Sequence, residues 1–448
     1  MAKKAQKIVL FLSIPRDAAQ ERLYSCPKGG DVTGRQTNEA PVKYLLRENQ
    51  HISEILCILT PEARQHAWQP FQTMVAQENA KVVCTPIPFE KESDFQSEVL
   101  PEILHHTTDT EKIFLETTGG LRDAIMYLLL ISRALSYTGV KTAGAVYSNF
   151  GSAEKGKGEV VDISQLIELF DLIGGMQELT SFGNIKSLRG YYGKREHAPE
   201  IDSLLDAVER LWECITLCRP NQISECMSQF NQALEQVEKC SDPLIRALLP
   251  AFRNKFGERL TIPGLIKWCI QSDMLQQALT VYKERIPYYI LTERQDILKV
   301  KPNAPEPKLI KDYIGEEEAR FNEQFLKMSY KRYHTAKADD NNGDQKNYVI
   351  ETLKHFEDLM PESYFTTQYP MDRLRKIAMD YVYIRTLRNM TNHANDQETG
   401  SQQQLMEYLN QQDPAYKRLD EVSAADIRTV INNALSTLKS LSKKERAR

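Results

Sequence analysis

Residues 112–123 read KIFLETTGGLRD. Ile113, Phe114 and Leu115 form a short apolar run that ends in a glutamate. Two hydroxyls and two glycines follow, and then a helical stretch at 121–137. A short apolar run bounded by turn residues marks a strand buried on both faces. The same grammar recurs at 7–14 (KIVLFLSI), 52–59, 81–87 and 141–147, with helical stretches at 39–48, 62–79 and 93–105 between them. Strand alternating with helix predicts a parallel, doubly wound α/β sheet over the first part of the chain. In that fold ligands sit at the carboxyl ends of the strands, so the loop Thr117-Thr118-Gly119-Gly120-Leu121-Arg122-Asp123 is the first place to look for a site.

Two readings of that loop stand side by side. Free N–H groups at a helix start favour anions, and glycines let a ligand approach the backbone. Alternatively, Thr117 or Thr118 caps the helix and nothing more. The absence of GxGxxG argues against a dinucleotide redox cofactor. A second loop, 15–38, contains GGDVTGRQ at 29–36. It is a near miss to a P-loop, but it lacks the lysine that reaches the phosphates and the hydroxyl that holds magnesium, which excludes an NTPase. A surface loop with turn glycines and a ligand lid both remain open for it.

At 448 residues the chain has room for two domains, and 41% apolar residues suffice for ordinary cores. The net charge of −4 excludes a surface coated for bulk nucleic-acid binding, so any RNA contact has to come from local patches. The longest apolar runs, such as 126–131, are too short to span a bilayer, and residues 1–14 lack a secretory pattern. The eight cysteines contain no CxxC pair. Cys214, Cys218 and Cys226 have no histidine at zinc spacing and are expected to pack helices. A cytoplasmic protein without membrane contact and without a metal is expected.

From about Pro199 helical periodicity takes over. Leu204, Leu205, Val208, Leu211, Trp212 and Ile215 form one apolar stripe. Similar stripes run through 223–237, 243–256, 262–270, 274–282, 348–359, 371–390 and 424–438, with polar loops at 338–345 and 395–404. An all-helical bundle is predicted. Near its end stands Arg388-Asn389-Met390-Thr391-Asn392-His393. These residue types suit RNA cleavage by the ribose 2′-hydroxyl. The imidazole titrates near neutrality, the guanidinium holds a phosphate, and Asn389 can orient either. On a straight helix positions five apart lie about 140° apart, so convergence needs a bend or a second copy of the motif. A histidine at a helix C-terminus is also stabilising with no chemistry attached. Two basic stretches, 327–337 (KMSYKRYHTAK) and 439–448, are either RNA contacts or solvated helix faces.

The Rossmann-like sheet with its Thr-Thr-Gly-Gly-Leu-Arg loop resembles the CARF sensor domain of type III CRISPR-associated proteins. Tyr147-Ser148-Asn149, residues 160–164 (VVDIS), Leu172-Ile173-Gly174-Gly175 and Phe182-Gly183-Asn184 are similar to the subgroup in which a HEPN ribonuclease domain follows. Arg388-x4-His393 is similar to the HEPN motif, in the family's order. The resemblance implies a CARF domain at 1–190 and an all-helical HEPN domain at 191–448. It implies a homodimer that binds cyclic oligoadenylate through Ser13, Thr117, Thr118, Gly119, Gly120, Arg122 and Asp123, with Arg16 and Asn38 as guesses in the variable first loop. It further implies a metal-independent endoribonuclease of antiviral defence that cleaves single-stranded RNA. Arg388, His393 and Asn389 would be its catalytic residues, a 2′,3′-cyclic phosphate its product, and no cofactor would be needed beyond the activating ring. Thr117 or Thr118 could also degrade the ring slowly. The competing class is a non-catalytic nucleotide-sensing dimeric scaffold, and a dehydrogenase ranks behind both.

Overall fold

The computed structural model describes residues 5–15, 20–119, 123–149, 157–307, 315–326, 348–359, 364–393 and 400–441. The chain forms two compact units, Met1–Gly174 and Gly175–Arg448. That division falls ahead of the 190/191 boundary expected from the sequence.

The first unit is built on one eight-stranded sheet. Its strands are β1 (Ala5–Phe11), β2 (Arg22–Ser25), β3 (Asp31–Gly34), β4 (Ile52–Leu59), β5 (Val83–Pro88), β6 (Thr110–Glu116), β7 (Lys141–Asn149) and β8 (Gly158–Asp162). The order is β3-β2-β8-β7-β6-β1-β4-β5, and the pairs from β5 through β7 are all parallel. The apolar runs are continuous because both faces are covered. In β1, Ile8 and Leu10 enter one core with Tyr44, Leu45 and Phe71, while Val9 and Phe11 enter the other with Ile103, Leu128 and Ile131. The helices supplying those cores are α1 (Glu39–Glu48), α2 (Pro61–His66), α3 (Trp68–Glu78), α4 (Leu100–His106) and α5 (Ala124–Tyr137). From β1 the chain winds outward through β4 and β5, then returns to β6 and β7 on the other side. The winding therefore reverses between β1 and β6, where such folds open a crevice at the strands' carboxyl ends.

Several local expectations are corrected. The loop at 15–38 carries a hairpin: β2 and β3 pair antiparallel, Arg22 opposite Gly34 and Ser25 opposite Asp31. Gly29 and Gly30, at φ +86° and +74°, make its turn. The near P-loop is thus a turn and an edge strand. The helix expected at 62–79 breaks at Ala67, because Pro70 in the first turn of α3 cannot donate to the carbonyl four residues back. A π-turn, Phe95–Val99, precedes α4. A helix not expected, α6 (Ser164–Phe182), contains Gly174-Gly175. A Cβ at Gly174 would lie 2.9 Å from Arg133 Nη2, and one at Gly175 would lie 2.9 Å from Leu188 Cγ, so the glycines permit close packing there.

The second unit is helical. It contains α7 (Lys186–Tyr192), α8 (Pro199–Thr216), α9 (Pro220–Val237), α10 (Pro243–Phe256), α11 (Ile262–Gln271), α12 (Leu275–Tyr288), α13 (Glu316–Arg320), α14 (Tyr348–Lys354), α15 (Phe356–Leu359), α16 (Met371–His393), α17 (Gly400–Gln412) and α18 (Ala424–Ser440). Their starts follow local rules. Proline opens α8, α9 and α10, the Asp242 carboxylate accepts from the N–H groups of Leu244 and Ile245, and Ser423 with Asp426 forms a capping box on α18. Helix α16 packs on α12 and α18. Asp380, Tyr381, Val382, Tyr383 and Ile384 are consecutive and all buried, so α16 is enclosed around most of its girth there and sits centrally in the unit. Two departures from the sequence reading occur here. A two-residue antiparallel pair, Lys299–Val300 with Phe365–Thr366, interrupts the all-helical pattern. Residues 400–404, expected in a polar loop, begin α17, which buries Leu405, Met406 and Leu409. The basic stretch 327–337 and the loop 338–345 lie outside the described residues.

Candidate functional site

In the first unit the carboxyl ends of β1 and β6 are tied together by Asn38, which is fully buried at the start of α1. Its Nδ2 donates to the Phe11 carbonyl at 3.1 Å and to Glu116 Oε2. Its Oδ1 accepts from the Ser13 N–H at 2.8 Å and from the Ser13 hydroxyl. The backbone partners at Phe11 and Ser13 fix which way the amide faces. The Ser13 hydroxyl also meets that of Thr37. Glu116 ends β6 with no solvent exposure, and its Oε1 accepts from the Thr118 N–H at 2.8 Å. Burial pushes the Glu116 carboxyl up to about 7, against the two donors from Thr118 and Asn38.

The two threonines do not cap α5. Thr117 N–H and hydroxyl both donate to the Val146 carbonyl of β7, at 2.9 and 3.2 Å. Thr118 Oγ1 accepts from the Ser148 N–H at 2.7 Å, and the Ser148 hydroxyl donates to the Thr37 carbonyl at 2.9 Å. Asp123, exposed, occupies the cap position of α5 without a side-chain cap bond. Ser13, Thr117, Thr118 and Gly119 are thus brought together at the reversal point between β1 and β6. Gly120, Arg122 and the guessed Arg16 lie outside the described residues. Asn38, weighed only as a guess, and Glu116, passed over as the end of a strand, prove central to the network. A carboxylate closing an otherwise apolar strand was the available signal.

In the second unit α16 is unbroken from Met371 to His393, so positions 388 and 393 lie about 140° apart around its axis. Arg388 is one-fifth exposed. Its Nη1 donates to Asn389 Oδ1 at 3.4 Å, and its Nη2 lies 3.6 Å from Glu284 Oε1 on α12. Lys283 Nζ bridges Glu284 Oε1 at 2.7 Å and Glu318 Oε1 at 2.8 Å. Burial, and then the Glu284 carboxylate, push Glu318 up to about 7. Burial raises Glu284 too, but the Glu318 hydroxyl, Lys283 and Arg388 outweigh it and hold the carboxyl below its ordinary value. His393 is the last residue of α16, and its side chain lies outside the described set. No sequence spacing pointed to Glu284 or Glu318, because packing alone brings α12 and α13 to α16.

Cys214 and Cys226 pack across α8 and α9 with their sulfurs 3.0 Å apart, while Cys218 is exposed. No helix among the described residues is long and apolar enough to cross a membrane.

The fold defines a two-unit protein, a doubly wound α/β unit followed by a helical unit. No protein-family profile and no curated protein matches the chain. Among solved structures it is similar to Enterococcus italicus Csm6 bound to cyclic hexa-2′-fluoro-hexa-dAMP. The match has 12% identity, covers 98% of this chain and 100% of that one, and has a TM-score of 0.35. At that identity and TM-score the likeness transfers neither activity nor ligand.

Proposed function

We propose that this chain is a cyclic-oligoadenylate-activated, metal-independent endoribonuclease of type III CRISPR antiviral defence, cleaving single-stranded RNA as a cytoplasmic homodimer. Residues 1–190 would be the CARF sensor and 191–448 the HEPN nuclease. One observation carries the reading. Ser13, Thr117, Thr118 and Gly119, four of the seven residues that the CARF resemblance singles out, stand together where the sheet's winding reverses. The Arg388-x4-His393 motif closes the central helix of the unit that follows.

In this reading the 2′-hydroxyl attacks the adjacent phosphorus and the 5′-oxygen leaves. His393 moves the proton, Arg388 stabilises the charge on the pentavalent phosphate, and Asn389 orients the guanidinium. A 2′,3′-cyclic phosphate and a 5′-hydroxyl result. Two protomers would bring two Arg388/His393 sets to one cleft, which answers the 140° separation within a single helix. Pairing through the first unit would use an exposed apolar face. Helix α5 exposes Ile125, Met126, Leu130 and Tyr137, and the neighbouring α6 exposes Leu166, Phe170 and Ile173. The ring activates only by the difference in its affinity for the competent and resting states.

The test is cleavage of a fluorogenic single-stranded RNA in EDTA, with cyclic tetra-adenylate, with cyclic hexa-adenylate and with neither. Cleavage switched on by one ring supports the reading. Ring binding without cleavage supports the scaffold instead. Absence of both overturns the resemblance.

A further inference from the structure

Lys283, Glu284, Glu318 and Arg388 form a compact charge cluster. Their side chains are 14%, 13%, 6% and 20% exposed. Two acids and two bases in so little solvent make an arrangement in which each charge fixes its neighbours. The long contact is the one to Arg388, at 3.6 Å, whereas Lys283 reaches both carboxylates at ion-pair distance. The cluster rests on a firm floor. Tyr381 packs edge-on against Phe321 at 4.9 Å, and Arg385, less than one turn before Arg388, donates to Asn322 Oδ1 at 3.2 Å. The charged and titratable groups that interact with the two carboxyls are Lys283 and Arg285 from α12 and Tyr381 and Arg388 from α16; Glu317 on α13 faces Arg285, and Arg385 on α16 faces Tyr381.

We propose that Glu284 is a positioning residue for Arg388: from α12 it fixes where the guanidinium stands when a phosphate arrives. The proposal rests on the ribonuclease reading. Lys283 Nζ stands 2.7 Å from Glu284 Oε1, and its charge holds the Glu284 carboxylate in a buried place where a lone carboxyl would neutralise. Arg388 is thereby anchored on one side by a fixed anion and braced on the other by Asn389. The contact is long enough for a phosphate to compete for the guanidinium without displacing Glu284 from Lys283. Without the anchor, phosphate still binds an arginine, but not in the geometry the reaction needs, so turnover suffers more than substrate affinity.

The experiment uses the full chain with two readouts. The first is kcat and KM for RNA at saturating ring, for the wild type, Glu284→Gln and Glu284→Asp. The second is phenylglyoxal labelling of Arg388 without RNA, followed by mass spectrometry. The proposal expects Glu284→Gln to lower kcat roughly 10–100-fold with KM within about threefold. Glu284→Asp should recover part of the loss, and Arg388 should label several-fold faster in the Gln variant. Arg388 labelling at the wild-type rate in Glu284→Gln overturns the anchoring, whatever happens to cleavage. Faster labelling with unchanged kcat overturns the positioning role. Faster labelling in a protein whose wild type cleaves no RNA upholds the anchor and fails the ribonuclease reading instead. Should Glu284→Gln not fold, Glu284→Asp carries both readouts.

Discussion

Gly119 packs directly against Asn38: a Cβ on Gly119 would lie 2.6 Å from Asn38 Nδ2, 2.7 Å from its Oδ1 and 2.8 Å from the Phe11 carbonyl. These neighbours cannot easily give way, because Asn38 is bonded on both sides and Phe11 is backbone in the sheet. Gly119→Ala is therefore expected to push Asn38 off Ser13 and Glu116. It should weaken ring binding at least about tenfold and cost about 1–3 kcal/mol of stability. Calorimetric titration with cyclic oligoadenylate and urea unfolding check this. Unchanged affinity would separate Gly119 from the binding site.

Glu116 makes the first unit's stability depend on pH, and the sign follows from its raised value. Folded, the carboxyl keeps its proton up to about 7, whereas the ordinary value is 4.5. The folded state then holds more protons between those limits, so stability falls as pH rises from about 4.5 to about 7 and is flat beyond. Glu116→Gln removes the titration. It also presents an amide N–H₂ to one of the two donors, Asn38 Nδ2 or the Thr118 N–H, and so starts out less stable at low pH. The gap between wild type and variant should narrow by on the order of 3 kcal/mol between pH 4.5 and pH 8. Denaturant unfolding across that range measures it. A gap that does not change with pH would mean that Glu116 titrates normally.

How much of this could be read beforehand follows from burial. The central strands were legible because both faces are covered and the runs are therefore apolar, as Ile8–Phe11 are in β1; edge strand β5 was legible from Val83 and Ile87 although Val83 is exposed. The edge hairpin was not, since Arg22 and Leu23 are exposed and four residues carry too little pattern. Helix α6 hid for the opposite reason. Leu166, Phe170 and Ile173 are exposed, so its apolar residues mark no single face, and Gly174-Gly175 reads as a break. In the loop that begins at Thr117 the residue types were legible but their partners were not. Thr117 and Thr118 engage β7 rather than α5, a choice made by sheet order. The Glu284–Glu318 pair was invisible, because its members are brought together only by helix packing.

The exposed apolar side chains of α5 and α6 make the proposed pairing testable by charge. Met126 and Leu130 are one turn apart on α5, and they are 65% and 56% exposed. Neither belongs to a buried core, so replacing them leaves the fold's packing alone. Met126→Glu with Leu130→Glu is expected to bring two acidic side chains of each protomer face to face and to yield monomers. Sedimentation velocity reads the mass. Ring binding should fall with dimerisation if the ring sits across a two-fold axis. A double variant that stays dimeric would place the pairing surface elsewhere.

His393 stands at the end of α16, five residues beyond Arg388, and the two are expected to fail differently. A proton-transfer group contributes about 10²–10⁴ in rate, so His393→Ala should nearly abolish cleavage while ring affinity and dimer mass stay at wild-type values. In the proposed reaction Arg388 acts on charge, so Arg388→Lys keeps a cation but loses the planar fork that meets Asn389 Oδ1. Its expected loss is smaller than that of Arg388→Ala but still at least about tenfold. Removing Arg388 has a second consequence. It takes a cation from beside Glu284 and leaves that buried carboxylate with Lys283 and the Glu318 hydroxyl, so Arg388→Ala should also lower stability, by about 1–2 kcal/mol. Product analysis completes the comparison, since a 2′,3′-cyclic phosphate from the wild type places the nucleophile on the ribose. A 5′-phosphate product would place it on water and overturn the roles assigned to both residues.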